Sequence, residues 1–144
     1  MKIGHVHLKI RNLQRSIDFY QRYLDMQITE KLAYSFVFMS AGQMHHELAL
    51  QEVGERATSP QPHGVGLYHV AFEVPDHASL TATYWKLKKG GVAAYPVDHG
   101  ISWALYFNDP DGNGVEVYWD TRRTEHGSKA WEGQTRPLSE AQLS

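Results

Sequence analysis

Two histidines and a glutamate occupy corresponding places in a sequence that repeats itself, and together they form a donor set for a divalent metal ion. The segment Gly4-His5-Val6-His7-Leu8-Lys9-Ile10 reappears as Tyr68-His69-Val70-Ala71-Phe72-Glu73-Val74, at an offset of 64 from His5 to His69. A second echo runs from Phe38 to Glu47 and from Phe107 to Glu116, nine residues apart each time. Self-similarity at this scale marks two copies of one supersecondary unit. His5, His69, Glu116 and, on the second echo, Glu47 then fall at matching places. Two neutral imidazoles and one carboxylate on one side of an ion leave its other positions open. This facial arrangement is used for non-haem iron(II), and also for manganese(II). A lone strand histidine is ordinarily just solvated; equivalence under the repeat is what distinguishes His5 and His69.

The elements that must carry these residues follow from periodicity. Residues 3–10 alternate, with Val6, Leu8 and Ile10 on one face and His5, His7 and Lys9 on the other, as in a strand covered on one side. Asn12 suits an N-cap, and Leu13, Ile17, Tyr20 and Leu24 recur at helical spacing. Residues 34–39 and 45–52 read as strands joined by a turn at Ala41-Gly42-Gln43. The second half repeats the order. Its strand at 68–74 leads to a helix capped by Asp76 and carrying Leu80, Tyr84 and Leu87, which Gly90-Gly91 stops. Strands are expected at 92–96, 102–108 and 114–119. The expected organisation is a first module at 1–53, a linker at 54–66, a second module at 67–120 and a polar tail at 121–144 without an assigned element. In each half one strand face is apolar and suits that half's helix. The other face carries His5, His7, His69, Glu73, Tyr106, Glu116 and Tyr118, and such an ionisable face is either wet or a site.

Composition narrows the chemistry. The 144 residues carry 14 basic and 16 acidic side chains, a net charge of −2, so no nucleic-acid or polybasic membrane surface is indicated. No run of 18 or more apolar residues occurs and no charged-then-apolar leader opens the sequence, so the expectation is a soluble cytoplasmic protein. With no cysteine, thiolate metal sites and cysteine nucleophiles are excluded, and any transition metal must take nitrogen and oxygen ligands.

Three stretches resemble the vicinal oxygen chelate superfamily: His5 through Tyr20, Leu67 through Val74, and Asp109-Pro110-Asp111-Gly112-Asn113-Gly114-Val115-Glu116-Val117-Tyr118. The superfamily includes glyoxalase I, bleomycin-binding proteins and extradiol ring-cleaving dioxygenases. The resemblance implies an α+β fold of two βαβββ modules forming a cup-shaped, curved mixed sheet with helices outside. It implies ligation by His5, His69 and Glu116, with a homodimer as the expected assembly. Features similar to single-domain catechol 2,3-dioxygenase-type proteins imply an iron(II) enzyme acting on a catechol-like aromatic diol and dioxygen. On that resemblance His46 is the acid–base group, while Tyr106, ten residues before Glu116, and His99 contact substrate. The spacing from His99 to Tyr106 departs from the family's pattern. Mn(II), Ni(II) and Zn(II) are the other metals the donor set admits.

Strand alternation cuts across part of this. It places Glu47 on the face of Ala49 and turns His46 toward the helix, unless a local bulge re-aims the strand. A regular strand makes Glu47 a fourth ligand, as the resemblance to glyoxalase I would have it, and suits metal-assisted proton transfer on a hemithioacetal. A small-molecule binding protein of the bleomycin-resistance kind is the non-enzymatic alternative. Elsewhere the plainer readings hold. His7 reads as a rim group, His45 as an exposed strand residue, and His63, His77 and His126 as solvated. Arg11, Arg15 and Arg22 read as solvated residues on or near the first helix. Residues 109–114 read as turn chemistry, and Phe36, Phe38, Phe72 and Phe107 as core.

Overall fold

The computed structural model describes residues 1–144. The chain divides into two compact units, one of Met1–Gly66 with Asp109–Asn113 and one of Leu67–Asn108 with Gly114–Ser144. The first contains β1 (Val6–Ile10), α1 (Leu13–Leu24), β2 (Gln27–Leu32), β3 (Phe36–Ser40) and β4 (Leu48–Glu52). The second contains β5 (Val70–Val74), α2 (His77–Lys89), β6 (Tyr95–Asp98), β7 (Ser102–Asn108), β8 (Gly114–Asp120), β9 (Arg136–Pro137) and a 3₁₀ turn at Glu140–Leu143. The sheet orders are β1-β4-β3-β2 and β5-β8-β7-β6-β9. In each sheet the leading strand runs parallel to the last strand of its module, and the other pairs are antiparallel. The expected α+β class with two βαβββ modules is therefore the observed one.

A parallel pair needs a crossover, and the sequence supplies a helix for each. The Asn12 side chain accepts from the backbone N–H of Arg15 at 2.9 Å and starts α1. Ile17 and Tyr20 are buried under it with Leu8, Ile10, Leu48 and Leu50, and the helix packs on β4. Asp25, in the left-handed region at φ 53°, ends it. In the second unit Asp76 caps α2 through Ser79 at 2.8 Å, and Leu80, Tyr84 and Leu87 bury one helix face against β7 and β8. Gly91, at φ 75°, makes the left-handed step after α2.

Several expectations are corrected. Strand β2 is implied by the βαβββ resemblance but has no range in the periodicity: all six of its residues are exposed, so no alternation betrays it. Strand β4 starts at Leu48 rather than at 45, and β6 lies at Tyr95–Asp98 rather than 92–96. The tail is built into the second unit. Arg136–Pro137 adds a strand to the outer edge of β6, where proline's missing N–H is tolerated, and Leu138 and Leu143 are buried. His77 is half-buried rather than solvated, whereas His126 is exposed as expected. His77 Nε2 lies 2.7 Å from the Gln142 carbonyl, and both rings lie against Trp103 and Trp119. Phe107 is core, whereas Phe36, Phe38 and Phe72 are only half-buried.

The Asp109–Asn113 segment is more than a turn. Asp111 is buried and joined by Arg11 at 3.1 Å and Arg15 at 3.0 Å, so Arg11 is an anchor rather than a solvated residue, while Arg15 pairs from the exposed surface. Asp109 is also buried. It accepts from the Tyr20 hydroxyl at 3.1 Å, the Asn113 amide side chain at 2.9 Å and the backbone N–H groups of Asp111 and Asn113. Burial pushes its carboxyl above the ordinary range, against those hydrogen bonds.

Candidate functional site

In the second unit the ladder between β7 and β8 sets Tyr106 directly opposite Glu116, and the parallel ladder sets Ala71 beside Glu116. His69, just before β5, reaches the same carboxylate. Its Nε2 lies 2.9 Å from Glu116 Oε2, with 29% and 10% of the two side chains exposed. Close approach here requires glycine. A Cβ on Gly114 would stand 2.2 Å from the Tyr68 carbonyl oxygen and 3.1 Å from His69 Cβ. The Tyr106 ring packs edge-on against His69 at 5.4 Å. Its phenol is pushed up to about 12, first by burial and then by the charge of Glu116, so it stays an O–H donor at neutral pH. His99 Nε2 lies 3.0 Å from the Tyr106 hydroxyl, and His99 Nδ1 lies 3.0 Å from Thr135 Oγ1 in the tail. Four residues singled out from sequence, His69, His99, Tyr106 and Glu116, thus form one connected group. Tyr118, on the same face, donates to Glu73 at 3.2 Å.

In the first unit the loop ahead of β4 decides what the face of His5 carries. The His46 ring centroid lies 4.6 Å from that of His5 and 4.3 Å from that of Phe38. His46 therefore lies on the face of His5. No bulge is needed, because the strand has not yet begun. Burial holds its imidazole below the ordinary histidine value, and the neighbouring His5 and His45 act the same way. Glu47 turns aside: its carboxylate accepts from the Ala41 N–H at 3.2 Å, closing the turn before β4. His7 packs edge-on against Phe36 at 5.0 Å.

The registers correct the second echo in the sequence. Adjusted for the offset of 64, His7 corresponds to Ala71; His7 pairs with Ala49 and Ala71 pairs with Glu116. The antiparallel ladders agree, since Phe38 pairs with Ala49 and Tyr106 with Glu116. The counterpart of Glu116 is therefore Ala49. Glu47 corresponds to Gly114, and Phe38 to Tyr106. The run Phe38–Glu47 resembles Phe107–Glu116 in residue type but lies out of phase with it in the sheet.

The donor pair of the second unit suits a divalent cation. Nitrogen and oxygen ligands at 2.0–2.2 Å from one ion and at right angles lie about 3 Å apart, close to the 2.9 Å separation of His69 Nε2 and Glu116 Oε2. The far nitrogen, His69 Nδ1, is buried without a hydrogen-bond partner, although second-shell acceptors ordinarily orient a ligating imidazole. Neither unit by itself holds a group of three or more His, Asp or Glu side chains that could hold a metal ion. No helix is long and apolar enough to cross a membrane.

The family model for the Glyoxalase/Bleomycin resistance protein/Dioxygenase superfamily matches residues 2–117. The chain belongs to this superfamily. Relatives with different names are similar to this chain. A catechol-2,3-dioxygenase of Bacillus subtilis (strain 168) is 36% identical over 122 residues, 85% of this chain but 42% of the relative, so the chain spans less than half of that protein. A lactoylglutathione lyase of Neisseria meningitidis (serogroup B, strain MC58) is 29% identical over 123 residues, covering 81% of this chain and 88% of the lyase. Among solved structures, a glyoxylase/bleomycin resistance protein/dioxygenase domain from Frankia sp. EAN1pec superposes with a TM-score of 0.70 at 23% identity, covering 83% of this chain and 98% of that one. That last likeness shows the fold alone.

Sequence reasoning missed two residues, Thr135 beside His99 in the second unit and Glu30 beside His45 in the first. Thr135 lies in a tail given no element. Glu30, whose carboxylate reaches His45 Nε2 at 3.2 Å, lies on strand β2, to which no residues were assigned. For Glu30 no alternation was available as a signal. For Thr135 the polar tail carries no periodicity that marks an edge strand.

Proposed function

We propose that the protein is an extradiol ring-cleaving dioxygenase acting on a catechol-like aromatic diol with dioxygen. His5, His69 and Glu116 would hold an iron(II) ion, with manganese(II) the closest substitute. Held by two imidazoles and one carboxylate, such an ion supplies the redox chemistry that joins dioxygen to the ring. The observation that supports this reading is the ladder register, in which Ala49 and not Glu47 is the counterpart of Glu116, while the Glu47 carboxylate accepts from the Ala41 N–H. Three protein donors leave room for a bidentate diol and a second molecule; four would not. The named dioxygenase relative adds support.

The chain's own groups suit the accompanying proton traffic. His46, beside His5 and held below the ordinary histidine value, accepts a proton from a diol hydroxyl and returns one later as general acid. Tyr106 remains protonated and donates its O–H to a substrate oxygen. His99 holds the Tyr106 hydroxyl in place. A cytoplasmic homodimer completes the reading, and light scattering tests the dimer.

The test is anaerobic loading with iron(II), followed by a panel of catechols and air. A yellow ring-cleavage product is expected from the wild type, and none from His46→Phe, whose iron content should match the wild type. A lactoylglutathione lyase-like isomerase is the competing reading, favoured by the 29% identity that extends over 88% of the Neisseria lyase. Absence of colour with every catechol, combined with nickel-stimulated loss of the methylglyoxal–glutathione hemithioacetal, would establish that alternative instead.

A further inference from the structure

His46 does not stand alone. His45 Nδ1 lies 2.8 Å from His46 Nδ1, and His45 Nε2 lies 3.2 Å from Glu30 Oε2. Three side chains from the loop before β4 and from β2 thus form a line, Glu30–His45–His46. Phe38 packs against both rings, at 5.4 Å from His45 and 4.3 Å from His46. The two imidazoles meet nearly at right angles, at 81°. The ladder between β2 and β3 slips between Ile28 and Glu30. A slip of this kind re-aims a side chain and is common beside active sites.

Hydrogen-bond chemistry gives the line a direction. A carboxylate only accepts, so a neutral His45 must carry its proton on Nε2 and donate it to Glu30. Its Nδ1 is then a bare acceptor. The 2.8 Å contact between the two Nδ1 atoms needs one proton, and only His46 can supply it. We infer that Glu30 and His45 act as positioning residues for His46, holding it in the Nδ1–H form so that Nε2 is its free, proton-accepting atom. Its catalytic meaning rests on the dioxygenase reading, because Nε2 is then the atom that takes the diol proton. The tautomer itself does not depend on that reading. The arrangement matches the way a partner on one imidazole nitrogen fixes the role of the other.

Glu30 and His45 side chains are 46% and 57% exposed, so replacing either leaves the core intact. The decisive measurement is the ¹⁵N spectrum of histidine-labelled, metal-free protein at neutral pH, with the His46 signals identified by their loss in His46→Phe. The wild type should show His46 protonated on Nδ1 and bare on Nε2. Glu30→Ala and His45→Phe should each move His46 toward the Nε2–H form that a solvated imidazole favours. A wild-type His46 protonated on Nε2, as a doubly protonated His45 would impose, overturns the inference. So does a His46 tautomer unchanged in both variants. In iron-loaded enzyme, Glu30→Ala should lower kcat about tenfold with KM within twofold; an unchanged kcat removes the positioning role. A correct tautomer in a wild type that cleaves no catechol would leave the relay standing and sink the dioxygenase reading alone.

Discussion

The parallel ladders of the two units are built alike and loaded differently. In one, β1 beside β4 brings His7 level with Ala49; in the other, β5 beside β8 brings Ala71 level with Glu116. One step earlier the loading reverses, with Glu47 ahead of β4 and Gly114 at the start of β8. At Gly114 the Tyr68 carbonyl leaves no room for a side chain. At Glu47 the backbone is free enough for the carboxylate to swing back and close the turn at Ala41. Duplication therefore preserved the frame while the acidic group came to lie two residues apart in the two copies. A donor set is decided by such two-residue differences, because they exchange a position inside the ladder for one in the loop before it.

The largest expected effect tests the loaded side. Glu116→Ala should lower iron(II) affinity at least about 100-fold and abolish ring cleavage, read by metal analysis after gel filtration. Retention of stoichiometric iron would remove Glu116 from the donor set. Next comes the attempt to make the two ladders alike. Ala49 is almost completely buried, so Ala49→Glu should lower the Tm without metal, and nickel(II) should restore it by binding the folded state. Ring cleavage should fall at least about tenfold as the added carboxylate takes an open position. A metal-independent Tm in this variant would argue against the register equivalence.

Smaller in energy is the exchange at the strand entrance. Gly114→Ala should destabilise the protein by about 2 kcal/mol, since the 2.2 Å contact forces the backbone to move. Its counterpart, Glu47→Ala, should cost only about 0.5 kcal/mol and leave ring cleavage within twofold. Denaturant midpoints measure the pair, and equal costs would erase the distinction. A tenfold activity loss in Glu47→Ala would return that residue to the site.

The smallest effect concerns the two turns ahead of these strands, only one of which buries an acid. Asp109 has a carboxyl pushed above its ordinary value by burial, so the folded state binds its proton more tightly than the unfolded chain does. Its contribution to stability is then greatest below the ordinary value of about 4 and is lost as pH rises through the folded value. Asp109→Asn should be less stable than the wild type at acid pH, for want of an acceptor. The gap should narrow as pH rises from 4 toward 7. A gap that widens with pH would reverse the assigned shift.

How much of this was legible beforehand varied with the physical signal. The leading strands and both helices could be read because one face of each is buried and the period is regular, as at Val6-Leu8-Ile10 and Leu80-Tyr84-Leu87. Strand β2 buries nothing and left no period, so Glu30 was invisible with it. The tail is polar between its few anchors, which hid both the edge strand at Arg136–Pro137 and Thr135 beside His99. His69, His99, Tyr106 and Glu116 were named from residue type, spacing and resemblance; the ladder pairs Tyr106 with Glu116, and side-chain contacts join His69 and His99 to them. The alignment of Glu47 with Glu116 failed because residue types repeat at a spacing the hydrogen-bond register does not keep.

From the chain alone came the duplicated strand-then-helix order, the family resemblance with the βαβββ modules it implies, the nitrogen and oxygen character of any metal site, and the short roll of groups able to serve it. These follow from periodicity and side-chain chemistry, which are local. Register, the direction His46 faces and the partner each imidazole finds belong to the folded molecule. They depend on which backbone groups pair across strands, and a slip of one residue there reverses the face that every side chain presents.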